Sequence, residues 1–154
     1  MKIVVDAMGG DHAPVAVIAG VVDALKEFDE RSESPRDVTI VLVGRTPEIE
    51  AELKKYQYPR DKVELIHADE VVGMDEPATN VIRKKRNSSI TVGINLLKDP
   101  QYHAFISAGN TGAVVAASTI NLGMIPGVER PAIGLVIPTL KKFAFLIDVG
   151  ANTD

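Results

Sequence analysis

The chain contains no cysteine, and aromatic residues make up only 5% of its 154 residues. Without cysteine it forms no disulfide and no thiolate metal site, and it has no cysteine nucleophile. This absence makes the cytoplasm the default compartment. The chain also lacks an apolar run of the roughly 20 residues that a membrane-spanning helix needs.

The net charge and the positions of the histidines argue against two classes of function. The net charge is −4, which argues against general binding to nucleic acid. The three histidines, His12, His67 and His103, are scattered and lack the spacing of a metal site. We therefore expect neither a metal nor a cofactor.

Short apolar strands alternate with helical patterns along the chain. The spacing of apolar residues predicts strands at 2–6, 38–43, 63–67, 104–107, 133–137 and 143–148, and helices at 14–28, from 46, 88–98 and 111–122. Thr46 is expected to cap the second helix, and Gly123 to end the last one. Strands that alternate with helices form a parallel sheet covered on both faces. The fold class is therefore α/β, with a doubly wound, mostly parallel sheet in three αβα layers.

Three strands run directly into turns made of very small residues. The first ends at Asp6 and continues through 7–14, the second ends at Ser107 and continues through 108–112, and the third ends at Asp148 and continues through 149–152. In an open α/β sheet, such turns line the edge where ligands bind. Small residues there let a ligand approach backbone N–H groups at a helix start.

The first turn carries a carboxylate and an imidazole that are candidates for moving a proton. Asp6 ends the strand, and Asp11 and His12 follow it. These groups could orient a ligand or transfer a proton. The alternative is that Asp11 caps the helix and His12 lies on the surface.

Residues 83–86 are all basic, and this basic run lies next to two serine hydroxyls at a predicted helix start. Lys84 and Arg86 belong to this run, and Ser88 and Ser89 follow it. Cations beside a helix N-terminus favour an anion, above all phosphate. The same run could instead bind an acidic protein partner, or form a solvated face with a serine cap.

The second turn offers Gly109, Asn110 and Thr111 before the helix at 111–122. Asn110 or Thr111 can cap this helix, and the glycine allows a close backbone approach. The turn matches neither a Walker loop nor a GxGxxG fingerprint. Tight packing alone would also explain its small residues.

Taken together, these segments resemble the bacterial phosphate acyltransferases of phospholipid synthesis, the PlsX family. The resemblance rests on residues 5–14, 67–70, 75–77, 82–85, 87–89, 106–113, 129–132 and 146–152, in the order of the family. The first of these and the 106–113 block are the most specific. Residues 140–142 depart from the small or polar residues that are usual there.

The resemblance implies a reaction and a fold. Inorganic phosphate attacks the thioester of an acyl group on acyl carrier protein, which gives acyl phosphate for phosphatidic acid synthesis. The family is homodimeric, cytoplasmic and loosely associated with the membrane. Its fold is similar to phosphotransacetylase and to the isocitrate and isopropylmalate dehydrogenases. Residues 1–154 would be the N-terminal portion of a larger two-domain enzyme, and we expect this portion to be inactive alone.

Roles for the candidate residues follow as hypotheses from this reaction. His12 or Asp6 would pass a proton to the leaving thiolate, and Asn110 would stabilise the oxyanion. Binding of phosphate or of the carrier's phosphopantetheine falls to Lys84, Arg86, Ser88 and Ser89, and backbone N–H groups at Gly109 and Thr111 would assist Asn110.

Three other functions stay open on the sequence. The first is a phosphotransacetylase-type enzyme that uses acyl-CoA. The second is a metal-dependent dehydrogenase of the isopropylmalate type, for which Asp6, Asp148 and Asp154 are the only tempting carboxylates. The third is a non-enzymatic binding or scaffolding protein.

Overall fold

The computed structural model describes residues 1–30, 37–78 and 84–148. The chain divides into two compact units, Met1–Leu122 and Gly123–Asp154. Each unit is built around its own sheet. No helix in the described ranges is long and apolar enough to cross a membrane.

The first unit contains a four-stranded sheet in which every strand pair is parallel. Its strands are β1 (Lys2–Asp6), β2 (Thr39–Gly44), β3 (Val63–His67) and β4 (Tyr102–Ile106), in the spatial order β3-β2-β1-β4. The β-branched run of β2 is buried almost throughout, as expected for a central strand covered on both faces. The prediction of a parallel α/β sheet is therefore confirmed.

Helices cover both faces of this sheet. They are α1 (Val15–Glu30), α2 (Thr46–Leu53), α3 (Ser89–Leu96) and α4 (Thr111–Leu122), and a short 3-10 helix spans Arg60–Lys62. On one face, Ile18 of α1 and Ile49 of α2 pack with Val5 and Leu42. On the other face, Val92 of α3 packs against Val4 of β1 and its neighbours. The three αβα layers follow from this alternation of side chains along each strand.

One predicted helix start is wrong in detail. Thr46 was expected to cap α2, but the N-cap position belongs to Arg45 and carries no side-chain cap bond. The Thr46 hydroxyl instead lies 3.0 Å from Nδ1 of His67. The Thr46 hydroxyl therefore contacts His67 at the end of β3 and does not cap α2.

The second unit contains a two-stranded hairpin, β5 (Gly134–Pro138) and β6 (Phe143–Ile147). The two strands lie where the sequence predicts them, and they pair antiparallel. Only residues 139–142 join them, a link far too short for the crossover that a parallel pair needs. The hairpin thus accounts for the part of the fold that is not parallel.

Gly93 of α3 marks the closest approach of a helix to the sheet. A Cβ atom at this position would lie 2.4 Å from Cε2 of Phe105 on β4. Phe105 packs into the cores on both sides of α3, so its ring has little freedom to move. Gly20 of α1, in contrast, has no atom within 4 Å of the position of a Cβ.

We predict that Gly93→Ala lowers the free energy of unfolding by about 1–3 kcal/mol, because the added methyl overpacks the core. Gly20→Ala is the matched control and should be neutral or stabilising by up to about 1 kcal/mol. Urea unfolding of both variants at natural full length measures the difference. Equal stabilities would contradict the close packing of α3 on β4.

Candidate active site

The order of the strands reverses between β1 and β4. From β1 the chain moves to β2 and then β3, and afterwards returns to place β4 on the other side of β1. The crevice at the carboxyl ends of two such strands is the usual ligand site of an open α/β sheet. Asp6 ends β1 and Ser107 follows β4 directly, so both lie at this switch point.

The turns after β1 and β4 are in direct contact at the switch point. A Cβ atom on Gly9 would lie 2.8 Å from the backbone nitrogen of Gly109 and 2.9 Å from Oγ of Ser107. Gly10 has a φ of +96°, which other residues rarely adopt. Two of the three small-residue turns thus converge. Of the third, only Asp148 is described, since 149–154 lie outside the described residues.

Asp6 lies beneath the two turns with only 1% of its surface exposed. Its Oδ1 accepts a hydrogen bond from the backbone N–H of Met8 at 3.0 Å, and its Oδ2 accepts one from the Ser107 hydroxyl at 2.7 Å. Ser107 Oγ in turn accepts a bond from the N–H of Gly109 at 3.0 Å. The carboxylate therefore supports the turns from below, and both of its oxygens are engaged within the protein.

The Asn110 side chain is fully engaged within the protein. Its Oδ1 accepts the Ala113 N–H at 2.9 Å and so caps α4, as the sequence allows. Its Nδ2 donates to the carbonyls of Gly73, Met74 and Glu76 at 3.1, 2.9 and 2.9 Å. Because both amide hydrogens are in use, this geometry does not support the predicted oxyanion role of the side chain. Asn110 anchors the segment 73–76 to the start of α4.

Lys85 holds the same segment from its other side. Its ammonium group donates to the Val71 carbonyl at 2.6 Å and forms an ion pair with Glu76. The Glu76 carboxylate also accepts the Gly73 N–H at 2.8 Å. The hydrogen bond from Lys85, and then that from Gly73, lower the pKa of Glu76 below its ordinary value of 4.5. Lys85, although it belongs to the basic run, is therefore engaged by groups of the protein itself.

The other candidates around the basic run separate into exposed and buried groups. Lys84 and Arg86 are exposed. Ser88 and Ser89 are 0% and 1% exposed, and Ser88 Oγ caps α3 by accepting the Thr91 N–H at 3.2 Å. The Ser89 N–H donates to the Glu70 carbonyl at 3.2 Å, so the loop after β3 covers this helix start. The geometry therefore favours a capping role for Ser88, and the burial of Ser89 disfavours phosphate contact there.

The remaining candidates lie at the surface of the switch point. His12 is exposed, and its backbone carbonyl accepts the N–H of Ala16 at the start of α1. Thr111 is exposed as the first residue of α4. Gly109 is half-buried, and its N–H is already donated to Ser107. At the switch point, His12 and Thr111 are therefore the candidate residues that a ligand reaches directly.

An apolar groove of about 310 Å³ leads away from the switch point between α1 and the strands β1 and β4. Asp6, Ser107 and Ala108 form one end, and the aromatic ring of Phe28 lines it as well. The small residues Ala16, Gly20 and Ala24 contribute the helical wall. Their spacing of four residues puts them on one face of α1.

Sequence reasoning assigned no role to the two residues that join the turns, Ser107 and Gly9. The signal was present, because each of the three strands ends on serine or aspartate next to small residues. What the sequence does not show is that Asp6 and Ser107, which lie 101 positions apart, contact each other. That contact depends on the order of the strands.

Comparison with known proteins identifies the family. The family described as "Fatty acid synthesis protein" matches residues 1–154. The chain belongs to this family. It is 44% identical to the phosphate acyltransferase of Alkaliphilus oremlandii and 45% identical to that of Clostridium botulinum, in each case over 100% of the chain and 44% of the relative. The phosphate acyltransferase of Halothermothrix orenii is 44% identical over the same shares.

The chain thus spans less than half the length of these curated relatives. The resemblance found in the sequence motifs is confirmed at the level of the family.

The ion pair of Glu76 with Lys85 makes a prediction about pH. A carboxyl group whose pKa is lower in the folded state stabilises the protein above its unfolded pKa, and this stabilisation is lost as the pH falls through the folded value. We expect Glu76→Gln to be less stable than the parent at pH 7 by at most about 1 kcal/mol, since solvent screens the pair. The gap should close below about pH 4.

Unfolding in urea between pH 7 and pH 3 measures this gap. Glu50→Gln is the control, because Glu50 is exposed and has no ion pair within the described part of the chain. A stability gap for Glu76→Gln that stays constant with pH would contradict the ion pair.

Proposed function

We propose that the protein, at its natural full length, is a phosphate acyltransferase that converts acyl-acyl-carrier-protein and inorganic phosphate to acyl phosphate. The observation that carries this proposal is the contact of the β1 and β4 turns at the switch point, in a chain whose relatives are named phosphate acyltransferase. Acyl phosphate then serves phospholipid synthesis.

The reaction needs no nucleophilic side chain. A phosphate oxygen forms a bond to the thioester carbonyl carbon, the C–S bond breaks, and the electron pair leaves on sulfur, which takes up a proton. The enzyme must hold phosphate against the carbonyl and stabilise the oxyanion. A chain without cysteine can do both with backbone N–H groups and surface cations.

The oxyanion is assigned to the first turn of α4. Ala113 N–H is bonded to Asn110, and Gly109 N–H to Ser107, whereas the N–H groups of Thr111 and Gly112 have no acceptor within the described residues. Fixed donors at a helix start stabilise negative charge without reorganisation. We therefore transfer the role from the Asn110 side chain to these N–H groups. His12, which is exposed in the facing turn, is the candidate proton donor to the thiolate.

The acyl donor is proposed to bind through the exposed cations of the basic run. Lys84 and Arg86 are exposed, whereas Lys85 faces inward. Acyl carrier protein is acidic and ends in a phosphopantetheine, so exposed cations favour its approach. An acyl-CoA donor is the alternative. A homodimer with loose attachment to the cytoplasmic face of the membrane is proposed on the resemblance alone.

The proposed reaction makes a prediction about its products. With acyl-acyl-carrier-protein, the full-length protein should release free thiol only when phosphate is present, with one acyl phosphate for each thiol. Thiol titration and trapping with hydroxylamine measure the two products. Gly9→Ala is the control, since its methyl would lie 2.5 Å from Oδ2 of Asp6 and should lower the rate at least about tenfold. Thiol release without phosphate would contradict the proposal, and a preference for acyl-CoA would favour the alternative.

The basic run makes a prediction about the binding of the acyl donor. Arg86→Ala should raise the KM for acyl-acyl-carrier-protein about three- to tenfold and leave kcat nearly unchanged, because it removes a surface charge pair. The effect should shrink as salt is added. Arg60→Ala, on the exposed 3-10 helix, is the matched control. An unchanged KM for Arg86→Ala would show that the run is only a solvated face.

A further inference from the structure

The Asp6 carboxylate is buried without a cation. Within the described ranges, no lysine, arginine or histidine forms an ion pair with it. Its charge is instead compensated by the Met8 N–H and the Ser107 hydroxyl. A buried carboxylate is costly, so these two hydrogen bonds are needed to keep it in place.

The direction of each hydrogen bond in this chain of contacts is fixed. A carboxylate accepts only, so the single hydrogen of Ser107 points to Asp6. Ser107 Oγ is then left with lone pairs, one of which accepts the Gly109 N–H at 3.0 Å. Asp6 thereby sets the orientation of Ser107, and Ser107 sets the position of the Gly109 backbone.

Between the two turns there is no room for a side chain beside these contacts. A Cβ atom on Gly9 would lie 2.5 Å from Asp6 Oδ2, and one on Gly109 would lie 3.1 Å from Ser107 Oγ and 3.2 Å from Gly9 Cα. The two turns therefore have one relative position that satisfies all the hydrogen bonds. Asp6 lies under them, where it makes no direct contact with a ligand above the turns.

We propose that Asp6 is a positioning residue that acts through Ser107, and that the pair fixes the N–H groups at the start of α4 where the oxyanion forms. This inference rests on the proposed function. It replaces the proton relay that the sequence assigned to Asp6, and it gives Ser107 a role that the sequence did not. The inference gives Ser107 no acyl-accepting role, since its hydrogen and one of its two lone pairs hold the turn.

The test uses Asp6→Asn, Ser107→Ala and the double variant in the full-length protein. If Asp6 acts only through Ser107, the double variant should be no slower than Ser107→Ala. We expect kcat to fall about ten- to hundredfold, since misplaced groups lose interactions made in the transition state. The KM for phosphate and the shape of the pH–rate profile should stay unchanged. Asp23→Asn makes the same change at an exposed position of α1, and this control variant should keep full activity.

Three results would overturn the inference. Multiplicative effects of the two substitutions would show that Asp6 acts independently of Ser107. Loss of one limb of the pH–rate profile in Asp6→Asn would make Asp6 a proton-transfer group. An acyl adduct on Ser107 in quenched parent enzyme, detected by mass spectrometry, would make Ser107 a nucleophile.

Hydrogen–deuterium exchange separates this inference from the proposed function. Peptides covering 107–112 should exchange faster in both Asp6→Asn and Ser107→Ala than in the parent, whereas Asp23→Asn should match the parent. Unchanged exchange in Asp6→Asn would refute the positioning role whatever the activity. If the parent makes no acyl phosphate, the proposed function fails, and the exchange measurement still decides the role of the pair.

Discussion

The hydrogen bond from the Ser107 hydroxyl to the buried Asp6 carboxylate is the interaction on which the candidate site depends. It joins the ends of two neighbouring strands that lie 101 positions apart in the sequence. Because the carboxylate has no cation beside it within the described residues, it holds its place only through directional hydrogen bonds. The facing glycines, Gly9 and Gly109, are the consequence, since any side chain there would displace the pair.

A second set of contacts holds the segment that lies over the start of α4. Asn110 donates to three carbonyls of residues 73–76, and Lys85 binds Val71 and Glu76 from the other side. A helix cap and an ion pair thus fix one loop from two directions. The polar groups that look most like catalytic side chains in the sequence are largely occupied in building the site, and the backbone provides the free donors.

The sequence predicts the fold better than it predicts the site. Its strands, the alternation with helices and Gly123, which has the positive φ of a helix end at +79°, agree with the structure. These features depend on local patterns of apolar residues and turn chemistry. The burial of Ser88, the engagement of Asn110 and the inward direction of Lys85 depend on which loop lies against which helix, and no local pattern encodes that. For this reason the sequence leaves the role of Ser88 open between cap and ligand contact, and it does not predict the contact between Asp6 and Ser107.

The central claim is that phosphate and the acyl group meet where the β1 and β4 turns converge. A crystal structure of the full-length protein with bound phosphate tests it most directly. The account predicts phosphate at the turns that contain Gly9 and Gly109, next to the place where the N–H groups that begin α4 bind the oxygen of the thioester carbonyl. Phosphate bound instead beside Arg86 and the start of α3, with the β1 and β4 turns unoccupied, would contradict it.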